Sequence, residues 1–226
     1  MAQYDRNHLR SALLVPVVVV FLIAFLHFLR VILLVPAQLF SVLPRDIHYL
    51  TGILTSPFVH GGIGHLLSNL LPLFAGLGVI MLFYRRVAIK SILSIYILTG
   101  VFVWLFAREV YHIGASGVVY GLISFIFWSG IFRRSLKSIM LALVVMILYS
   151  GMLIGVFPVR EGVSWESHLF GVVAGVIIAF LMRKDKEPDE IQKPYDWELI
   201  EEKKEPFFDP GTFDDTKDNR YTNSYF

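Results

Sequence analysis

The chain of 226 residues is 56% hydrophobic and 17% charged, a composition typical of a polytopic membrane protein and not of a soluble globule. It contains no cysteine, which excludes disulfides, thiolate nucleophiles and cysteine-ligated metals. The net charge is only +2, and the basic residues lie in small groups beside apolar segments, which argues against nucleic-acid binding.

Six apolar segments follow one another along the chain, at lengths suited to a hydrocarbon core of about 30 Å. They cover residues 11–35, 60–83, 88–106, 113–132, 138–157 and 167–182. The sequence therefore predicts an all-α, six-helix membrane domain over residues 11–182. A polar N-terminus, residues 1–10, precedes it. The charged, proline-containing residues 183–226 are predicted to form a solvated, largely disordered tail.

The loops between these segments alternate in charge. Basic residues dominate the N-terminus, the turns at 84–90 and 133–137, and the exit at 183–186, whereas the other three loops balance their bases with acids. Because basic loops stay in the cytoplasm, both termini are predicted to be cytoplasmic. The second, fourth and sixth helices then begin on the outer side of the membrane.

Polar side chains that are costly in lipid lie at the outer ends of those three helices. His65 and Asn69 are on the second, Ser116 heads the fourth, and His168 heads the sixth. Intramembrane polar groups usually face a water-filled cavity and mark a functional site. A shared cavity that opens to the outer side is therefore predicted.

Ser116 and His168 are predicted to be a nucleophile and its general base, because histidine usually removes the proton of a reactive serine. Each is followed by two glycines at i, i+4 spacing, which are Gly117 with Gly121 and Gly171 with Gly175. Small residues at that interval let helices approach closely in lipid. The alternative is that both glycine pairs are ordinary packing seams and that Ser116 bonds to a backbone carbonyl.

Four further side chains are candidates for supporting roles. Tyr120, one turn after Ser116, is placed to stack on His168, although an ordinary packing aromatic is the alternative. His65 and Asn69 share one helix face and offer N–H donors to a developing oxyanion, although an interhelical hydrogen bond that holds two helices together is the alternative. His60 is expected to order the start of the second helix.

A metal site formed by His60, His65 and His168 is the competing interpretation. The sequence has no His-Glu-x-x-His motif and no acidic residue within a predicted span, whereas hydrolytic zinc usually needs three ligands and a nearby carboxylate. No metal and no cofactor are therefore predicted. Three acidic residues of the outer loops are expected to be solvated, which favours a Ser–His dyad without a third member: Glu109, Glu161 and Glu166.

Three motifs together resemble the rhomboid family of intramembrane serine proteases. They are Gly114-Ala115-Ser116-Gly117 continued by Val118-Val119-Tyr120, His65-x-x-x-Asn69 with the upstream His60, and His168-x-x-Gly171-x-x-x-Gly175. The resemblance spans about residues 57–182. The first outer loop, residues 36–57, departs from the family pattern because it has no tryptophan and therefore lacks the family's Trp-Arg pair.

The resemblance implies a six-helix bundle in which Ser116 attacks and His168 acts as base and then acid. Asn69, His65 and the Ser116 backbone N–H would form the oxyanion hole. The expected substrates are membrane proteins cleaved in or near helix-destabilised transmembrane segments, with a gate at residues 156–166 and a location in the bacterial inner membrane. A non-catalytic relative that binds or escorts membrane clients is the main alternative, and a small transporter or channel is a more distant one.

Overall fold

The computed structural model describes residues 6–159 and 164–191, which contain seven α-helices, several short 3₁₀ turns and no β-strand. The helices are α1 (Arg6–Ile32), α2 (Gly52–Thr55), α3 (Ile63–Phe83), α4 (Ala88–Phe106), α5 (Ser116–Arg133), α6 (Leu136–Tyr149) and α7 (Trp165–Leu181). Residues 160–163 of the predicted gate and residues 192–226 of the predicted tail lie outside the described residues.

Five of these helices are long and apolar enough to cross a membrane, if α6 is taken with the 3₁₀ segment that continues it to Val156. The sixth apolar helix, α7, has 17 residues, whereas a span usually needs about 20. The described residues thus contain five candidate spans and one shorter apolar helix, where the sequence predicts six spans. Helix α1 begins at Arg6, within the predicted polar N-terminus.

The fifth helix occupies the centre of the bundle and packs against α3, α4, α6 and α7. Within its apolar stretch 67% of the residues are buried, compared with 11% in the stretch Leu136–Val156. Helix α5 carries small residues that allow neighbours on all sides, whereas α6 exposes a broad apolar face. A helix of the latter kind belongs against lipid.

Glycines form the contact between α5 and α7. A Cβ added at Gly171 would strike the carbonyl oxygen of Gly117, and one added at Gly175 would strike that of Gly121. The Ser124 hydroxyl adds a hydrogen bond to the Val172 carbonyl at 2.8 Å. The two predicted glycine pairs therefore meet each other, and this backbone contact brings the starts of the two helices together.

The end of the bundle opposite to the starts of α5 and α7 is called here the basic end. It comprises the turns at 84–87, 133–135 and 182–186. Its centre is an ion pair between Arg133 Nη1 and Glu190 Oε2 at 2.8 Å, with both side chains fully buried. Ser135 and Ser138 donate hydrogen bonds to the other oxygen of Glu190. Glu187 accepts the backbone N–H of Arg86 at 2.8 Å.

The basic end corrects the predicted start of the solvated tail at residue 183. Residues up to Ile191 are described, and Glu187 and Glu190 within them are buried against the bundle. The physical reason is Arg133, whose charge at the end of α5 is buried and needs a counter-charge. Burial by itself raises the pKa of Glu190, but hydrogen bonds from Ser138, the Glu187 N–H and Ser135, with the charge of Arg133, outweigh it and lower that pKa to about 2.

Candidate active site

Ser116 is the first residue of α5 and follows a turn that only glycine suits. Gly114 has a φ of 102°, a value that other residues rarely adopt, and its N–H donates to the Ser56 carbonyl at 2.9 Å. This turn explains why α5 begins at Ser116 and not at residue 113. The first N–H groups of a helix have no acceptor within the helix, so the Ser116 N–H lies at a natural site for negative charge.

His168 lies in the first turn of α7 and is held on two sides. Its Nδ1 is 2.8 Å from the Gly155 carbonyl oxygen, and its ring stacks on Tyr120 with centroids 4.1 Å apart and planes 9° apart. Because a carbonyl only accepts, the hydrogen-bond network assigns the proton to Nδ1 and leaves Nε2 as the basic nitrogen. The contact between Tyr120 and His168 expected from the sequence is present.

The packing brings Ser116 and His168 to the same level. A Cβ on Gly117, the residue after Ser116, would lie 2.9 Å from the carbonyl oxygen of Ser167, the residue before His168. The Tyr120 hydroxyl donates to the Met152 carbonyl at 2.7 Å, which ties the ring under His168 to the segment after α6. The two helices therefore present the serine and the imidazole from adjoining first turns.

The predicted oxyanion donors lie on α3, beside the turn that precedes Ser116. A Cβ on Gly114 would lie 2.8 Å from Cε1 of His65, so the glycine admits this imidazole against the turn. Asn69 is buried, and its Nδ2 donates to the His65 backbone carbonyl at 2.6 Å, which uses one of its two N–H bonds within α3. The structure thus places His65 next to the serine turn and Asn69 one helical turn further along.

His60 anchors the same turn from a buried position. Its Nε2 accepts the N–H of Ala115 at 3.3 Å, and its own backbone N–H donates to Nδ1 of His27 at 3.3 Å. Burial, with the neighbouring His65 and His27, lowers the pKa of His60 to about 3, so its imidazole is neutral. His60 thus contacts the residue that precedes Ser116, whereas the sequence suggested a role at the start of α3.

Sequence reasoning missed His27 and misjudged Glu166. His27 is the only histidine in the apolar part of α1, which was a visible signal, but its partner lies 33 residues away. Glu166, predicted to be solvated, is buried, and its Oε1 lies 2.6 Å from Arg108 Nε. Glu109 is exposed as expected and pairs with Arg45 at 3.2 Å, while Glu161 lies outside the described residues.

The described residues contain no group of three or more His, Cys, Asp or Glu side chains arranged to hold a metal ion. His60 contacts His65 and His27 edge to face, with ring centroids 5.0 and 5.8 Å apart. The site brings together a hydroxyl, imidazoles, a carboxamide and the backbone N–H groups at the start of α5.

The comparison with protein families matches a Rhomboid domain to residues 48–185. The chain belongs to the rhomboid family. Together with the long apolar helices, this makes the rhomboid described here an integral membrane protein. The matched range contains each of the three motifs.

Of the three relatives described next, two are uncharacterized proteins and one bears a rhomboid name. An uncharacterized protein of Mycobacterium tuberculosis, Rv1337, is 38% identical over 154 residues, which cover 63% of each chain. An uncharacterized protein of Mycobacterium leprae, ML1171, is 33% identical over 142 residues, or 59% of this chain and 56% of its own. RHOMBOID-like protein 4 of Arabidopsis thaliana is 30% identical over 140 residues, or 58% of this chain and 33% of its own. This rhomboid thus matches less than two thirds of the length of these relatives.

Proposed function

We propose that this rhomboid is an intramembrane serine protease with a Ser116–His168 dyad. The observation that carries the proposal is the setting of His168, whose Nδ1 is committed to the Gly155 carbonyl and whose ring is stacked on Tyr120. These contacts hold one tautomer and one ring orientation, with Nε2 as the base. That nitrogen is then available to take a proton from Ser116.

The proposed reaction follows the general course of acyl transfer by serine. Ser116 Oγ attacks the peptide carbonyl carbon while His168 Nε2 takes the hydroxyl proton. The tetrahedral intermediate collapses as the C–N bond breaks and His168 returns the proton to the leaving amine. Water, deprotonated by the same nitrogen, then hydrolyses the acyl-enzyme ester and releases Ser116.

The negative charge that develops on the peptide oxygen is assigned to three donors: the Ser116 N–H, the His65 ring and the Asn69 carboxamide. The Ser116 N–H lies at the positive end of the α5 dipole, and such fixed donors stabilise an oxyanion more strongly in a site of low dielectric than in water. Asn69 has one N–H bond engaged with the His65 carbonyl, so its second N–H is the one proposed to face the substrate.

The proposed substrates are membrane proteins with helix-destabilised transmembrane segments, since an extended peptide must reach Ser116. Helix α6 and the 3₁₀ segment after it are the least buried of the apolar stretches, which supports lateral access on that side. The loop charges support six crossings with cytoplasmic termini, α7 included, and a site that opens to the outer side of a bacterial inner membrane.

Labelling with a fluorophosphonate probe tests this proposal. The wild type in detergent is expected to take up one equivalent, and Ser116→Ala none. Ser68→Ala is the matched control, because Ser68 is an exposed serine of α3 near the site and should label like the wild type. Failure of the folded wild type to label or to cleave any of a panel of transmembrane substrates would replace the protease by the client-binding alternative.

A further inference from the structure

His112 joins three parts of the chain at the outer rim of the site. It lies four residues before Ser116, in the loop between α4 and α5, and only 2% of its surface is exposed. Its backbone forms an antiparallel bridge with Val42, through N–H to carbonyl bonds of 2.9 and 3.0 Å. This backbone bridge fixes the position of His112 independently of its side-chain contacts.

The imidazole of His112 makes two hydrogen bonds that define its tautomer. Nε2 lies 3.1 Å from the Arg108 carbonyl oxygen, and Nδ1 lies 2.5 Å from the Ser164 hydroxyl. A carbonyl oxygen can only accept, so the proton belongs on Nε2. Nδ1 is then the acceptor, and the Ser164 hydroxyl donates to it.

Ser164 is in turn the N-cap of α7. Its Oγ accepts the N–H of Ser167 at 3.4 Å and lies 2.6 Å from the Ser167 hydroxyl. His168 is the next residue. Hydrogen bonds thus connect Ser167, through Ser164, to His112 in the loop that leads to Ser116.

The charged groups around this series reinforce the same connection. Arg108, on the His112 loop, forms an ion pair with the buried Glu166 of α7. Burial lowers the pKa of His112, the Arg108 carbonyl and the charge of Glu166 oppose that effect, and the charge of Arg108 adds to it, so the pKa lies below its ordinary value. A neutral His112 is what the hydrogen bond from Ser164 requires.

We propose that His112 is a positioning residue for catalysis, which through Ser164 holds the loop of Ser116 against the first turn of α7 so that Ser116 and His168 stay in register. The inference rests on the proposed protease function. Small errors in the relative placement of reacting groups cost up to about 10²-fold in rate, which sets the scale of the expected effect.

The test compares acylation of Ser116 by the fluorophosphonate probe, and kcat and KM for one transmembrane substrate, in a series of full-length variants. His112→Phe keeps a ring but removes both hydrogen bonds, and we expect kcat and acylation to fall by about 10- to 100-fold with KM little changed. His112→Asn keeps an acceptor near the place of Nδ1, and we expect it to recover a large part of the loss.

Ser164→Asn and Ser164→Asp are a matched pair of variants. They distinguish the role of Ser164 as the N-cap of α7 from its role as hydrogen-bond donor to His112. Both side chains cap a helix through an oxygen, but only asparagine can also donate to a neutral His112. Ser164→Asn should therefore keep most of the activity at pH 8, while Ser164→Asp should lose it there. As the pH falls and His112 gains a proton, the aspartate acquires a partner, so the ratio of Asp to Asn activities should rise.

The double variant His112→Phe/Ser164→Ala should be no slower than the slower single variant, because both remove one connection. Additive losses would contradict the bridge. So would equal activity of His112→Phe and wild type, or a ratio of Asp to Asn activities that does not change with pH. If the wild type labels and cleaves, these outcomes overturn only the role of His112. If it does neither, the proposed protease and this inference fall together.

Discussion

The two ends of the bundle bury their polar groups in different ways. At the basic end, Arg133 and Glu190 are both charged and fully buried, and serine hydroxyls satisfy the carboxylate. At the site end, the buried groups in contact with the Ser116 turn are neutral, and His60 has a pKa of about 3. The basic end is held by a buried ion pair. The turn before Ser116 is held by uncharged hydrogen bonds, while the Arg108–Glu166 ion pair joins the loop before that turn to α7.

The two kinds of contact differ in how rigid they make each end. A buried ion pair is rigid, because the loss of either partner leaves an unpaired charge that costs about 3–5 kcal/mol. A neutral hydrogen bond contributes only about 1 kcal/mol, so an end built from such bonds can adjust as a substrate enters. In the proposed hydrolysis, neutral imidazoles would leave the charge that develops on the peptide oxygen as the main charge beside Ser116. Four experiments test this difference between the two ends.

The largest expected effect is on the rate at the site end. His168→Ala should abolish cleavage, while Asn69→Ala should retain part of it, since loss of one oxyanion donor costs roughly 10²–10³-fold in a soluble protease. Initial rates of cleavage in proteoliposomes measure both. Equal rates for the two variants would contradict the roles assigned to them, and a large fall in the unfolding temperature of His168→Ala would contradict the contrast between the two ends.

The next effect is on stability at the basic end. Glu190→Ala should lower the free energy of unfolding by about 3–5 kcal/mol, because Arg133 remains buried without its counter-charge. Denaturant unfolding in mixed micelles measures the loss. Lys137→Ala is the control, since the pair of Lys137 with the exposed Asp189 should contribute at most about 1 kcal/mol. Similar losses in the two variants would show that the buried Arg133–Glu190 pair contributes no more to the free energy of unfolding than an exposed pair.

Truncation places the boundary of the folded domain. A chain that ends at Ile191 keeps the ion pair, so we expect it to unfold at the wild-type temperature and to keep any cleavage activity. A chain that ends at Lys186 lacks Glu187 and Glu190, so we expect it to be destabilised about as much as Glu190→Ala. Thermal unfolding of the two truncated proteins decides this, and equal stability would mean that residues 187–191 add nothing to the bundle.

Acid should affect the two ends over different pH ranges. The pKa of Glu190 falls from 4.5 to about 2 on folding, so its stabilisation is complete above pH 4.5 and is lost as the pH falls toward 2. The pKa of His60 falls from 6.5 to about 3, so the unfolded chain binds its proton first and stability declines from pH 6.5 downward. His60→Asn should reduce the decline between pH 6.5 and 4.5, leaving the share of other buried histidines such as His112, and Glu190→Gln should reduce the decline only below pH 4.5.

The sequence alone predicted the long apolar helices and the glycine contact, and it supplied the proposed site residues. Apolar length and loop charge are local properties, and Ser116, His168, Gly117 and Gly171 stand in local motifs whose spacing already places them on particular helix faces. The contact of Tyr120 with His168 was also accessible, because i, i+4 spacing puts Tyr120 below Ser116 on the helix that meets α7.

Only the tertiary structure decided which polar groups are buried and what they contact. Glu190 looks like part of a solvated tail until the end of α5 brings Arg133 beside it, 57 residues away in sequence. His112 and Ser164 are 52 residues apart, and His27 and His60 are 33 apart. The sequence around a charged or polar residue does not show whether that residue faces water or a partner, because the packing of distant helices brings the partner to it.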